Sequence, residues 1–385
     1  MIRAGDPLYL DVTPYFWRTE DRGGIYHYIR NFLLELAKDP PAGLWLFVRG
    51  RGVIEARKVS CWARHFPVKW VRLPGQLHRI IPLLRGSGKY LTLWEDLPAL
   101  WGLKVYSVVH DLRALIYEEE LLPCEKDLPF WRQWKDLPEA RARRRYFSTR
   151  KRMLERVLSK ARGLVAISRF TAQGLVSRGI EEERVKVVYH GPLPPTSPAP
   201  LPTELQNNPY VLYVGKFEPL KNVERLLLAF KLWRKTNPRV RLVCAGPLTW
   251  YGRFLVKRFS SLEGVYFLDF VSPNLLESLY RKALFLVLPS LYEGFGLPVL
   301  EAMSRGVAVA ASDIAPLREV AGLGAYFFDP FSPKALRDAF SLLWEDRALR
   351  EKLASCGLER SRKFSWEKTV LETISFVSLP YAENP

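Results

Sequence analysis

Residues 289–303, PSLYEGFGLPVLEAM, set two glutamates, Glu293 and Glu301, eight positions apart around two glycines, a phenylalanine and a proline. The preceding run LFLVLPS reads as a buried strand, and Pro298 takes the first turn of a helix, where its missing N–H is not needed. Glu293 therefore opens the loop, and Glu301 falls about one turn inside the helix. A carboxylate accepts bidentately from vicinal hydroxyls, so two acids placed this way suit a polyol ligand. The plainer alternative is that Glu301 only complements the helix dipole. Gly294 and Gly296 leave backbone N–H groups open to a ligand.

A second stretch, VGKFEPLKNVERLL, puts Gly215 at a strand end, then Lys216, with Lys221 at the start of the next helix. Two cations crowding a helix N-terminus oppose its dipole, and an anion between them removes the conflict. The pattern favours phosphate, with Glu218 in the same loop orienting one lysine. Gly246 in CAGP offers close approach to a base or phosphate. In the first half, DRGGIYHYIRNF places Gly23 and Gly24 before an amphipathic helix, which suits a diphosphate or a plain turn and is not a GxGxxG fingerprint. His110 ends the apolar strand of VVHDLRAL. It could hydrogen-bond a sugar hydroxyl or move a proton, or lie buried against a backbone carbonyl. Ser168 in GLVAISRFT stands at a helix N-cap position.

These residues all follow β-rich runs. PLYLDV, LWLFVR, VKWVRL, VYSVVHD, GLVAIS and VKVVYHG alternate with helical stretches, and YVLYVGKF, VRLVCAG, VYFLDFV, LFLVLPS, VAVAAS and AYFFDP repeat the plan. Near-continuous apolar runs of this kind are parallel strands covered on both faces, so both halves are expected to be doubly wound α/β sheets. Ligands of such sheets bind at the carboxyl ends of the strands. The expected division is a first domain over 1–192, a Pro-rich linker over 193–208, a second domain over 209–364 and a terminal helix over 365–385. A chain of 385 residues is too long for one ordinary core.

Four dispersed cysteines form neither a CxxC nor a Cys/His ligand pattern, which indicates reduced thiols and a cytoplasmic setting. No apolar run reaches transmembrane length. The formal charge is +18, and residues 132–162 alone carry 12 Arg or Lys against 3 acids. Such a surface suits nucleic acid, anionic lipid or phosphorylated ligands, and is equally what a solvated helical face looks like.

GKFEPLKN followed by PSLYEGFGLPVLEAMSRGVAVAASDIAPLREVAG, with GGIYHY, VVHDL, AISRFT and VVYHG in order before them, resembles glycosyltransferase family 4, retaining enzymes of the GT-B fold. The likeness covers essentially the whole length. It implies two Rossmann-like domains facing a central crevice, an acceptor-binding first and a nucleotide-sugar-binding second, with the C-terminal helix crossing back to the first. It also implies that Glu293 meets the hexose and Glu301 the ribose. Lys216 and Lys221 would hold the diphosphate, Lys standing where the family often has Arg. Gly23 and Gly24 would approach it from the other domain, and His110 would lie beside the transferred sugar. Gly215, Gly246, Val271, Gly294, Phe295, Gly296 and Leu297 complete the implied donor site. No two aspartates stand two apart, so a DxD metal site is missing and metal-independent catalysis without a cofactor is expected.

The implied donor is GDP-mannose first and a UDP-sugar second, and the implied acceptor is a glycan or lipid-linked saccharide of surface polysaccharide synthesis. Residues 132–162, with Trp94, Trp101, Trp131 and Trp134 nearby, fit docking on an anionic membrane at its cytoplasmic face. A nucleotide-sugar epimerase of the same fold is a rival, as is a basic nucleic-acid-binding protein. The latter carries no RNP, helix-turn-helix or zinc-finger pattern, and no nucleic-acid partner is expected.

Overall fold

The computed structural model describes residues 7–13, 24–50, 64–72, 82–85, 88–94, 97 and 99–378. Two compact units emerge, one of Met1–Leu115, Tyr146–Gly191 and Phe364–Pro385, the other of Ile116–Arg145 and Pro192–Lys363.

In the first unit, β1 (Leu8–Asp11), β2 (Leu44–Gly50), β3 (Val68–Arg72), β5 (Lys89–Thr92), β7 (Lys104–Val109), β8 (Gly163–Ala166) and β9 (Val185–Val187) form one parallel sheet in the order β3-β2-β1-β5-β7-β8-β9. A separate two-stranded sheet joins β4 (Pro82–Arg85) and β6 (Ala99–Trp101). The apolar runs of the sequence become strands, and β5 is an addition. KYLT is short and begins with a lysine, so it carries little strand signal, yet it lies between β1 and β7 with Tyr90 and Leu91 fully buried. The helix Gly24–Leu36 buries Tyr28, Ile29, Phe32, Leu33 and Leu36, spaced along one helical stripe.

The helix Trp366–Ser378 belongs to this unit, with Thr369 donating to the Tyr189 carbonyl at 2.8 Å and Phe376 edge-on to Tyr106. The terminal helix thus closes the first unit's core, the place that the GT-B resemblance assigned to it. Its attachment explains Gly163 and Gly191, since a Cβ on either would lie within 3 Å of Phe376 or Trp366.

In the second unit, β10 (Tyr210–Val214), β11 (Arg241–Ala245), β12 (Val265–Leu268), β13 (Phe285–Leu288), β14 (Val309–Ser312) and β15 (Ala325–Phe328) are all parallel, in the order β12-β11-β10-β13-β14-β15. Tyr210–Tyr213 and all four residues of β13 and of β14 are buried, as strands covered by helices on both faces require. Strand order reverses between β10 and β13, and likewise between β1 and β5 in the other sheet. These are the points where loops leaving the strand ends diverge and leave room for a ligand.

One expectation about the chain's division changes. Residues 116–145 do not stay with a contiguous 1–192 domain but group with the second unit. Trp134 is the anchor: its ring is 1% exposed, and its Nε1 donates to Glu224 at 2.8 Å. A tryptophan–carboxylate pairing across 90 residues leaves no local signature. The Pro-rich linker is held along its length. Ala199 N donates to the Asn274 carbonyl at 3.1 Å and Thr196 Oγ1 to the Pro273 carbonyl at 3.1 Å, pinning it along the helix Pro273–Lys282.

Candidate active site

β10 ends at Val214, and the next residues are the glycine and lysines singled out above. Gly246, at the end of β11, has φ +143°, and a Cβ there would sit 2.2 Å from the Gly215 carbonyl oxygen. The close approach that this glycine permits is therefore between the two strand ends themselves. The chain then makes a single turn, Pro219–Lys221, and Asn222 takes a left-handed φ of 58° before the helix Val223–Arg234. Lys221 thus stands just ahead of the helix rather than inside it.

The loop after β13 brings Glu293 to that turn. Lys221 Nζ lies 2.6 Å from Glu293 Oε1, and Ser290 Oγ donates to the same oxygen at 2.7 Å. Lys216 Nζ is 3.6 Å from Glu218, its neighbour in the loop. The cation crowding inferred from the sequence is therefore relieved by two carboxylates, one from each loop. Both lysines stand next to a strand end where an anion could displace the carboxylate. Gly296 has φ +105° and a Cβ on it would meet Leu317 at 2.4 Å, so the sharp entry into the helix Leu297–Ser304 demands glycine there. Pro298 occupies its first turn, where the sequence placed it. Phe295 is buried, whereas Gly294 and Leu297 are half-buried beside it.

Glu301 lies one turn into that helix and is 3% exposed. Its Oε2 accepts from the Tyr280 hydroxyl at 2.6 Å, while among the described residues no hydrogen bond reaches Oε1. Burial pushes its carboxyl up to about 7, opposed by the Tyr280 hydrogen bond and by Arg305. Arg305 in turn donates to the Glu301 carbonyl at 3.1 Å and pairs with the buried Glu277 at 2.8 Å, with its guanidinium 5.2 Å from the Tyr280 ring. Glu301 therefore sits in a buried polar socket shared with Tyr280 and Arg305. Val271 lies in the loop after β12, half-buried, before Ser272 caps the helix Pro273–Lys282 by accepting from Leu275 N.

In the first unit His110 follows β7 and is 7% exposed, with Nε2 2.9 Å from the Leu93 carbonyl and its ring edge-on to Tyr28. A ring nitrogen facing a carbonyl must carry the proton, so this is the Nε2–H tautomer with Nδ1 left as an acceptor. Burial holds its pKa below the usual histidine value, so the ring is neutral. Gly24 opens the helix Gly24–Leu36 with nothing within 4 Å of where a Cβ would stand; Gly23 lies outside the described residues. Ser168 caps its helix by accepting from Thr171 N. Each set is tied together inside its own unit.

Of the aromatic residues grouped with the basic stretch, Trp94 and Trp134 are buried and Trp131 is half-buried. Trp134 is buried against Glu224, Trp131 packs edge-on to Trp134, and Trp94 is buried beneath the Arg150 guanidinium at 4.7 Å. The Trp101 side chain lies outside what is described. Arg143 pairs with the buried Glu125, whereas Arg132, Arg141, Arg145, Arg152 and Lys160 stay exposed. Among the described residues no group of three or more His, Cys, Asp or Glu is placed to hold a metal ion.

Sequence reasoning passed over Asn222, Tyr280, Ser290 and Arg305. Ser290 and Asn222 had a weak signal, being polar residues at strand and helix ends. Tyr280 had none, because it meets Glu301 only through the packing of two helices.

Residues 202–360, which hold Lys216, Lys221, Glu293 and Glu301, match the family described as glycosyl transferases group 1. The chain's similarity to the O-antigen chain mannosyltransferase B of Escherichia coli is 37% identity over 174 residues, 44% of this chain and 46% of that protein. The O-antigen chain mannosyltransferase RfbU of Salmonella typhimurium is 29% identical over 192 residues, 49% of this chain and 52% of that protein. The chain thus spans about half the length of these curated relatives. Among solved structures, Anabaena Alr3699/HepE in complex with UDP and glucose superposes with a TM-score of 0.66 at 18% identity, covering 96% of this chain and 99% of that one. The chain thus has the GT-B fold.

Proposed function

We propose that this chain is a metal-independent, retaining glycosyltransferase that moves a hexose from a nucleotide-sugar to a growing surface glycan or a lipid-linked acceptor. The observation that carries the reading is the Lys221–Glu293 pair at the β10–β13 switch point, with Glu301 buried one turn into the adjoining helix. In this mechanism the diphosphate takes Lys216 and Lys221 from their carboxylates, and the two cations stabilise the departing nucleoside diphosphate as oxocarbenium-like charge develops on the sugar. Glu293, released from Lys221, turns its carboxylate to the hexose hydroxyls. Glu301 receives the ribose diol on Oε1 while Tyr280 holds Oε2 in place. The leaving phosphate takes the acceptor's proton on the same face. Acceptor recognition is assigned to the first unit.

GDP-mannose is the first donor, because the curated relatives are O-antigen chain mannosyltransferases. A UDP-sugar is the second reading, favoured by the UDP and glucose held by the Anabaena structure. Thermal unfolding with GDP-, UDP-, ADP- and dTDP-sugars tests both, since a donor bound only by the folded state raises the midpoint. The reading fails if no sugar nucleotide moves the midpoint. Release of transferred sugar rather than an epimer separates this activity from that of an epimerase.

The exposed Arg132, Arg141, Arg145 and Arg152 are proposed to dock on anionic lipid by charge alone. No helix among the described residues is long and apolar enough to cross a membrane. Co-sedimentation that ignores lipid charge, or that survives loss of those arginines, would sink this part of the proposal.

A further inference from the structure

Residues 116–145 stand in the first half of the chain, far from the donor loops in sequence, yet their polar ties land on the first turn of the helix that follows Lys221. Glu224 is fully buried and accepts from Phe130 N, Trp134 Nε1 and the Tyr251 hydroxyl, each at 2.8 Å. Arg225 spreads its guanidinium between the Asp127 carbonyl at 2.6 Å and Asn222 Oδ1 at 3.0 Å. With Oδ1 claimed by Arg225, the Asn222 amide must point the other way. It donates to the Pro289 carbonyl at 2.9 Å and the Pro330 carbonyl at 2.8 Å. One side chain in a left-handed turn thus ties together the loops that leave β10, β13 and β15. Lys221 and Glu293 lie on two of those loops. The segment is itself stiffened by Glu125, 1% exposed, which accepts from Tyr117 at 2.8 Å and from Arg143 at 2.5 Å.

We infer that residues 116–145 buttress the Lys221–Glu293 site, with Trp134, Arg225 and Asn222 as positioning residues. The path is continuous: Phe130 and Trp134 fix Glu224, the Asp127 carbonyl fixes Arg225, Arg225 orients Asn222, and Asn222 sets the spacing of the two catalytic loops. A charge-assisted fork is the element that lysine cannot reproduce. The catalytic half of this inference rests on the proposed function; the structural half does not.

Three full-length variants test it. Arg225→Lys keeps the charge and loses the fork, Asn222→Gly keeps the left-handed backbone and loses the amide, and Trp134→Phe keeps most of the ring and loses the Nε1 donor. Hydrogen exchange read peptide by peptide should quicken at 216–222 and 289–296 in all three, with β11, β12 and the first unit unchanged. If the protein transfers sugar, kcat should fall about 10- to 100-fold through misplacement alone, with donor KM changing less. Unchanged exchange in both loops overturns the inference, and so does exchange that quickens evenly through the second sheet. Should the wild type neither bind a nucleoside diphosphate nor transfer sugar, the functional reading falls, and the exchange pattern alone decides the buttress.

Discussion

Glu301→Gln should make the protein more stable and a worse binder of nucleotide-sugar, and the size of the gain follows from burial. The carboxyl is 3% exposed and pushed up from its ordinary 4.5 to about 7 by desolvation, which Tyr280 and Arg305 only partly offset and the neighbouring Glu277 reinforces. The unfolded chain releases this proton near pH 4.5, the folded chain only near 7. A raised carboxyl favours the fold at low pH, and that favour is lost as pH rises through the folded value. Above both values the fold bears the cost of ionising a buried group, roughly 2.5 units at 1.36 kcal/mol each, or about 3 kcal/mol. Glutamine has the same shape and no proton to lose. Urea unfolding of the two proteins at matched pH should therefore show the variant ahead by about 3 kcal/mol at pH 8 and by under about 1 kcal/mol at pH 5. Taking the difference cancels the other titrations. The same substitution removes the anionic acceptor for a ribose diol, so affinity for the nucleoside diphosphate should fall. A gap that does not change with pH, or a variant less stable at pH 8, would refute the claim that the carboxylate is ionised in a desolvated socket.

Tyr280→Phe removes one hydrogen bond to that carboxylate, at 2.6 Å, and leaves the ring in place. Donor KM should rise about tenfold with kcat nearly unchanged, and the pH at which donor binding strengthens should move upward; steady-state profiles across pH 6–9 read both. Lys221→Met unpairs Glu293 and removes a cation from the leaving group, so turnover should fall by about 100-fold or more while Lys221→Arg keeps part of it; single-turnover assays separate the two. Gly246→Ala places a methyl 2.2 Å from the Gly215 oxygen at a positive φ, and its urea midpoint should drop by the equivalent of at least about 2 kcal/mol.

The sequence made the strands and loops of the second unit legible because parallel strands covered on both faces must be apolar along their whole length. LFLVLPS, YVLYVGKF and VAVAAS could hardly be anything else. Glycine and proline marked where the chain turns, and Gly296 and Pro298 stand at the helix entry for the steric reasons that made them readable. KYLT escaped because its burial comes from its neighbours and not from its own composition.

What only the tertiary structure decided are the partners of the charged groups. The pattern GKFEPLKN offered two lysines in search of an anion, and three-dimensional packing supplied Glu293 from 72 residues away and Glu218 from the same loop. Nothing local in Glu301 foretold a hydroxyl from Tyr280, and nothing in the basic stretch 132–162 foretold that Trp134 would bury itself on Glu224. Apolar periodicity is a property of one segment read alone, so a sequence carries it openly. A buried hydrogen bond or ion pair joins two segments, and its existence depends on the backbone that brings them together.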